Sequence, residues 1–287
     1  MEAFMYRILI DSCGELFPEM QNTESFCNVP LTLTVDSHEI IDDETFNQAE
    51  FLRMIKESAN APKSACPSPD AYMREMRGDW ERIYVITLSS KLSGSYNSAC
   101  LAKDLINEEL EDDDEEPKQI HVFDSKSASI GQTLIADKIA ELEKEGLSFD
   151  EVIRRTDAYI ETQHTFFILE TLETLRKAGR LSALKAMIAN TLNIKPIMGS
   201  TEEGSIQQLG QGRGMSKALD KMVDLMMEVT PDPENRVVAI SHCNCPERAA
   251  MLQKKLEAKA NFKRIVIVDT RGVSSMYAND GGIIMVV

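Results

Sequence analysis

The sequence predicts a layered α/β protein in two domains, on three observations. Short apolar, β-branched runs recur along the chain, and long helical patterns separate most of them. The chain has 287 residues, 43% of them hydrophobic, enough apolar material for one large core or two ordinary ones. Near residue 163 the pattern changes, which divides an N-terminal α/β domain, 1–162, from a C-terminal α/β domain, 163–287.

Taken in order, Tyr6 to Ile10, Val29 to Val35, Arg82 to Leu88 and Ile120 to Phe123 read as strands of the first half. Thr45 to Ser58 reads as a helix, with Thr45 and Gln48 in capping-box spacing. Ser129 to Glu145 is a second helix. Ser148 to Glu161 opens with Ser148 and Glu151 in the same spacing, and places Val152, Ile153, Thr156, Tyr159 and Ile160 on one face. His164 to Leu169 is strand-like. A helical pair, Thr171 to Ala178 and Ser182 to Leu192, follows on either side of Gly179. Lys195 to Met198 and Ser205 to Leu209 then form a hairpin turned at Glu203-Gly204, and two strand and helix units, opening at Val237 and Arg264, complete a mixed sheet.

The charge excludes some partners. With 47 acidic against 31 basic residues the formal net charge is −16, which repels a phosphate backbone, so nucleic acid is not expected as a partner. Eight of the nine positions from Glu108 to Glu116 are acidic, and this run reads as a solvated loop or helix end. The six cysteines are dispersed and read as reduced thiols. Cys243 and Cys245 beside His242 lack a second cluster to complete a metal site, so no metal is expected. No apolar run approaches the roughly 20 residues a membrane helix needs, and the start lacks a basic n-region, so the expected location is cytoplasmic, with membrane contact at most transient.

Three strands end alike, in Asp11-Ser12, Asp124-Ser125 and Asp269-Thr270, which marks one sheet edge as the working edge if these residues do more than cap turns. The strand from Arg82 runs into Ser89-Ser90-Lys91-Leu92-Ser93-Gly94-Ser95-Tyr96 before a helix. A hydroxyl-rich, glycine-containing turn there offers N–H and O–H donors at the positive end of a helix dipole, suited to a carboxylate. Lys63 to Pro69 is a second hydroxyl-rich turn. Nucleotide-binding, serine-hydrolase and zinc-protease motifs are absent, and Gly210-Gln211-Gly212-Arg213-Gly214 follows a polar hairpin rather than a buried strand, the wrong setting for a phosphate loop. Two alternatives stay open: a small-molecule kinase or hydrolase with Ser93 as nucleophile and His242 or Tyr277 as its partner, or a regulatory module that binds another carboxylate.

The ordered motifs carry a resemblance. Asp11-Ser12 with Val29-Pro30-Leu31, Lys63 to Pro69, Leu92 to Tyr96, Asp124 to Gly131, Leu169 to Leu175 with Gly179-Arg180-Leu181-Ser182, Leu192 to Ile197, and Arg213-Gly214 together resemble the DegV family over essentially the whole chain. The resemblance implies an N-terminal α/β/α domain with a parallel sheet and a C-terminal lipid-binding domain with a mixed sheet and helices. It also implies a non-enzymatic carrier with no cofactor, which binds one long-chain fatty acid and presents its carboxylate to the catalytic subunit of a fatty acid kinase, for phospholipid metabolism. The carboxylate-binding hydroxyls of the family fall on Ser93 and Ser64, and Tyr277 stands where the family usually has histidine. Ala65 and Cys66 replace a Ser-Gln pair. Arg180 and Arg213 are the arginines expected to meet the partner or the phosphate. Candidate tail-lining positions are Phe166, Ile168, Leu184, Ile188, Leu192, Ile194, Ile197 and Met198, with methionines as adaptable lining.

Overall fold

A computed structural model describes residues 5–112, 115–181 and 193–287. The expected helix from Ser182 to Leu192, and with it Leu184, Ile188 and Leu192, lies outside the described residues.

The first half opens with β1 (Tyr6–Asp11) and β2 (Phe26–Val29), which pair in parallel. The run from Val29 to Val35, expected as one strand, is two. Pro30 has no N–H to give a ladder, and the chain leaves the sheet there to form β3 (Thr32–Val35), which pairs antiparallel with β4 (His38–Ile41). Next come α1 (Gln48–Glu57), β5 (Lys63–Ala65), α2 (Pro69–Met76), β6 (Arg82–Thr87), α3 (Ser95–Asp112), β7 (Gln119–Asp124), α4 (Ile130–Lys144) and α5 (Phe149–Ile160). The cap expected at Thr45 forms instead at Asn47, whose side chain accepts from Glu50 N at 3.1 Å. Thr45 is engaged by Asp43, and Gln48 reaches across to donate to Thr270 O at 2.8 Å. A cap forms at Ser148, where Oγ accepts from Glu151 N.

Strands β2, β1, β6 and β7 make a parallel sheet in that order. Its period of two sorts the core into two faces. Leu9, Ile83 and Val85 pack with α2 and α3, while Ile8, Ile10, Tyr84 and Ile86 pack with α4 and α5. The small antiparallel sheet, in order β4, β3, β5, sits beside it.

The second half supplies β8 (Thr165–Ile168), α6 (Glu173–Lys177), β9 (Ile194–Ser200), β10 (Ile206–Arg213), α7 (Met215–Glu228), β11 (Val237–His242), α8 (Pro246–Glu257), β12 (Arg264–Asp269), α9 (Gly272–Ala278) and β13 (Ile283–Val286). These strands form a mixed sheet in the order β10, β9, β8, β13, β11, β12, with only β11 and β12 parallel. The central place of β13 was not legible beforehand. The glycine-rich segment from Gly210 lies in β10, paired with β9, and a Cβ on Gly212 would meet the Ala218 backbone at 2.5 Å. It is a strand packed on a helix rather than a phosphate loop.

One face of the mixed sheet is covered by α7 and α8. The other meets α4, so that Ala239 and Val286 join the same cluster as Ile130 and Leu134. Helix α4 therefore lies between the two sheets. Toward β8 and β9 the same face is left for a cavity.

Candidate functional site

A cavity of about 370 Å³ lies between the mixed sheet, the small sheet, α9 and the turn before α3. Ser64, Ser93, Tyr277 and Arg180 all line it, along with apolar walls such as Leu31, Leu88, Leu92, Phe167, Leu169 and Leu175.

The hydroxyls are placed by backbone. Ser64 is held on β5 by its pairing with Leu33 of β3. Ser93 is fixed by its N–H, which donates to Ser89 O at 3.1 Å, and its Oγ accepts from Ser95 N at 3.2 Å and lies 3.0 Å from Ser95 Oγ. The next residue, Gly94, accepts from Ser98 N as α3 begins, so Ser93 stands at the positive end of an 18-residue helix. The Gly94 backbone also touches the second turn closely, since a Cβ there would lie 3.2 Å from Cys66 Sγ.

Tyr277 comes from α9, which is anchored from the first half. Ser12 Oγ donates to Asp42 at 2.9 Å, and the Asp42 carboxylate accepts from Gly272 N and Val273 N at the head of α9. A Cβ on Gly272 would meet that carboxylate at 2.5 Å, so only glycine fits there. Tyr277 OH then lies 3.5 Å from Ser64 Oγ. The three hydroxyls provide neutral donors, each able to give one hydrogen bond to an anionic oxygen.

Arg180 lines the cavity but spends its guanidinium locally, donating to Leu92 O at 3.1 Å and Ala178 O at 2.5 Å. It therefore braces the turn that carries Ser93. Arg213 is exposed at the end of β10 and is not among the cavity-lining residues. Asp11 and Asp124, at the expected working edge, are already engaged in hydrogen bonds within the fold. The Asp11 carboxylate accepts from Leu88 N at 2.7 Å and Gln132 Nε2 at 2.9 Å, and Asp124 accepts from Ser90 N and Lys126 N.

The candidate tail-lining residues of β8 do not line this cavity. Phe166 and Ile168 pack with α7 and α8, as does Ile197, whereas Thr165, Phe167 and Leu169 face the cavity. Two faces of an apolar strand are alike in sequence, and only the layer above each tells them apart. Ile194 and Met198 are not among the described lining residues either, nor is any methionine. The sequence reading also missed Ser127, Ser129, Ser200 and Ser274 as lining. The first two stand in a motif already singled out, Asp124 to Gly131, and the others carried no signal.

Behind Ser129 lies a buried carboxyl. Ser129 Oγ donates to Glu15 Oε2 at 2.8 Å and lies 2.8 Å from Ser241 Oγ, and burial pushes the Glu15 carboxyl up to about 7. Burial also holds the thiol of Cys13, in the cavity wall, well above its ordinary value. Ser93 has no hydrogen bond to His242 or Tyr277. His242 instead approaches Asp269 at 3.4 Å and accepts from Cys245 N. Among the described residues there is no cluster able to hold a metal ion and no helix long and apolar enough to cross a membrane.

A family model described as an uncharacterised protein of the DegV family matches residues 5–286. A DegV domain-containing protein of Streptococcus pneumoniae is 34% identical over 284 residues, which cover 98% of both chains. Among solved structures, a DegV family protein from Ruminococcus gnavus refined with vaccenic acid superposes over 100% of both chains with a TM-score of 0.94 and 48% identity. The fatty acid kinase B3 protein of Streptococcus pneumoniae, loaded with linoleic acid, superposes over 99% of both chains with a TM-score of 0.87 and 32% identity.

Proposed function

Because this chain belongs to the DegV family, we propose that it holds one long-chain fatty acid in the cavity and presents the carboxylate to a partner fatty acid kinase. The observation that carries this reading is a largely apolar cavity lined by Ser64, Ser93 and Tyr277, with Ser64 and Tyr277 3.5 Å apart and Ser93 at the N-terminus of α3. An alkyl chain gains about 0.8 kcal/mol per buried methylene, and a carboxylate needs donors where it is desolvated. Groups of both kinds line the one cavity.

The same geometry argues against Ser93 as a nucleophile, since neither His242 nor Tyr277 is hydrogen-bonded to it and a base within reach is required for attack. The chemistry falls to the partner. The kinase transfers the terminal phosphoryl group of ATP to the carboxylate oxygen, breaking the bond to ADP and leaving an acyl phosphate. That reading puts the protein in the cytoplasm, with the ATP. Arg180 supports the turn on which the carboxylate rests, and exposed Arg213 is placed for a partner or phosphate contact outside the cavity.

Native mass spectrometry followed by organic extraction tests the reading. Protein from a bacterial host should carry a fatty acid of about 14 to 18 carbons, because an apolar cavity of this kind favours an occupant. A mass equal to the bare chain, with no uptake of added palmitate or oleate, would overturn it.

A further inference from the structure

Resting on the carrier reading, we propose that Asp42, in the first half of the chain, is a positioning residue for the head group, which sets Tyr277 against Ser64. The two hydroxyls come from distant parts of the chain, and one small sheet reaches both. Ser64 is carried on β5, opposite Leu33 of β3. The other neighbour of β3 is β4, where Ile41 pairs with Thr32, and Asp42 is the next residue. Its carboxylate accepts from Gly272 N at 2.8 Å and Val273 N at 2.9 Å, where α9 begins. Val273 and Tyr277 lie one turn apart on the same face of α9, and both line the cavity. A shift at Val273 therefore reaches Tyr277.

The carboxylate itself has little freedom. Asp42 is fully buried, and its N–H donates to Leu31 O at 3.0 Å. Ser12 Oγ accepts from Leu31 N at 3.0 Å while donating to Asp42 at 2.9 Å. A Cβ on Gly272 would meet the Asp42 carboxyl at 2.5 Å and Leu33 Cδ1 at 2.6 Å, so α9 rests on the strand that pairs with Ser64. Other bonds hold α9 without Asp42. Gln48 Nε2 donates to Thr270 O at 2.8 Å and to Ser275 Oγ at 3.3 Å, and Ser274 Oγ donates to Cys13 O at 3.0 Å. Loss of one carboxylate oxygen should thus shift the head of the helix and leave it docked.

Binding of palmitate and of 1-hexadecanol, the same chain without a carboxylate, tests this in the wild type, Asp42→Asn, Tyr277→Phe and D42N/Y277F. Asparagine turns one acceptor oxygen into an amide donor, which cannot accept from an α9 N–H. Asp42→Asn should lower palmitate affinity by about tenfold and hexadecanol affinity by no more than about threefold, because a hydrogen bond to a charged group contributes more than one to a neutral group. In the Tyr277→Phe background it should cost at most about a further twofold, since both changes act on one contact. Equal losses for the two ligands, an undiminished loss without the Tyr277 hydroxyl, or no loss at all would make Asp42 a structural residue only and overturn the proposal. Should Asp42→Asn fail to fold, Ser12→Ala, which removes a donor to Asp42, goes through the same comparison. A wild type that binds no palmitate overturns the carrier reading, and this proposal with it.

Discussion

At the scale of residues, the proposed head-group site depends on hydroxyls whose positions are set by backbone hydrogen bonds. Ser93→Ala and Ser64→Ala should each weaken fatty-acid binding, since a hydrogen bond to a charged group contributes on the order of 1.5–3 kcal/mol, or more than tenfold in affinity. Titration with a labelled fatty acid checks this, and unchanged affinity in both variants would remove the assignment. Glu15 gives a second prediction, in stability. Its folded-state value, about 7, lies above the ordinary 4.5, so its contribution is fully present below about 4.5 and is lost as pH rises through 7. Glu15→Gln should therefore be more stable than the wild type at pH above about 8, by about 3 kcal/mol at most, and should lose that advantage near pH 5. Urea unfolding at the two pH values measures it, and a pH-independent difference would show that the carboxyl is ionised throughout.

At the scale of elements, β8 decides which apolar residues make core and which make cavity. Phe166 packs into the layer of α7 and α8, and Phe167 faces the cavity. Phe166→Ala should cost about 3–5 kcal/mol of stability and leave affinity in the folded protein near wild type. Phe167→Ala should widen the cavity and lower palmitate affinity by roughly tenfold, from about 1.5 kcal/mol of lost apolar contact. Thermal unfolding and titration of the two variants separate these effects. If both variants lose affinity equally, the strand's two faces are not divided as described. The hairpin of β9 and β10 and the cap at Ser148 were legible because their signals are local. The cap at Asn47 was not, because Gln48 is recruited by Thr270, 222 residues away.

At the scale of the whole molecule, the boundary expected between 162 and 163 separates the strands of the two large sheets but not the core. Ile8, Ile86 and Leu134 share one cluster with Ala239 and Val286, and α4 is buried from both sides. A chain ending at residue 162 should therefore expose the α4 surface that meets β11 and β13 and fail to unfold cooperatively, as circular dichroism during denaturation would reveal. A sharp two-state transition in that fragment would make the first half an independent domain. By itself the sequence determined the α/β class, the order of most elements, the acidic surface and the family motifs that pick out Ser64, Ser93, Arg180 and Tyr277, because periodicity, turn chemistry and motif order are properties of neighbouring residues. Only the tertiary structure decided the central place of β13, the parity of β8, the local engagement of Arg180, the position of Arg213 outside the cavity, and the contact of Ser127 with Thr165. Each of these depends on which distant segment covers a given face, and a linear pattern of apolar and polar residues leaves that open.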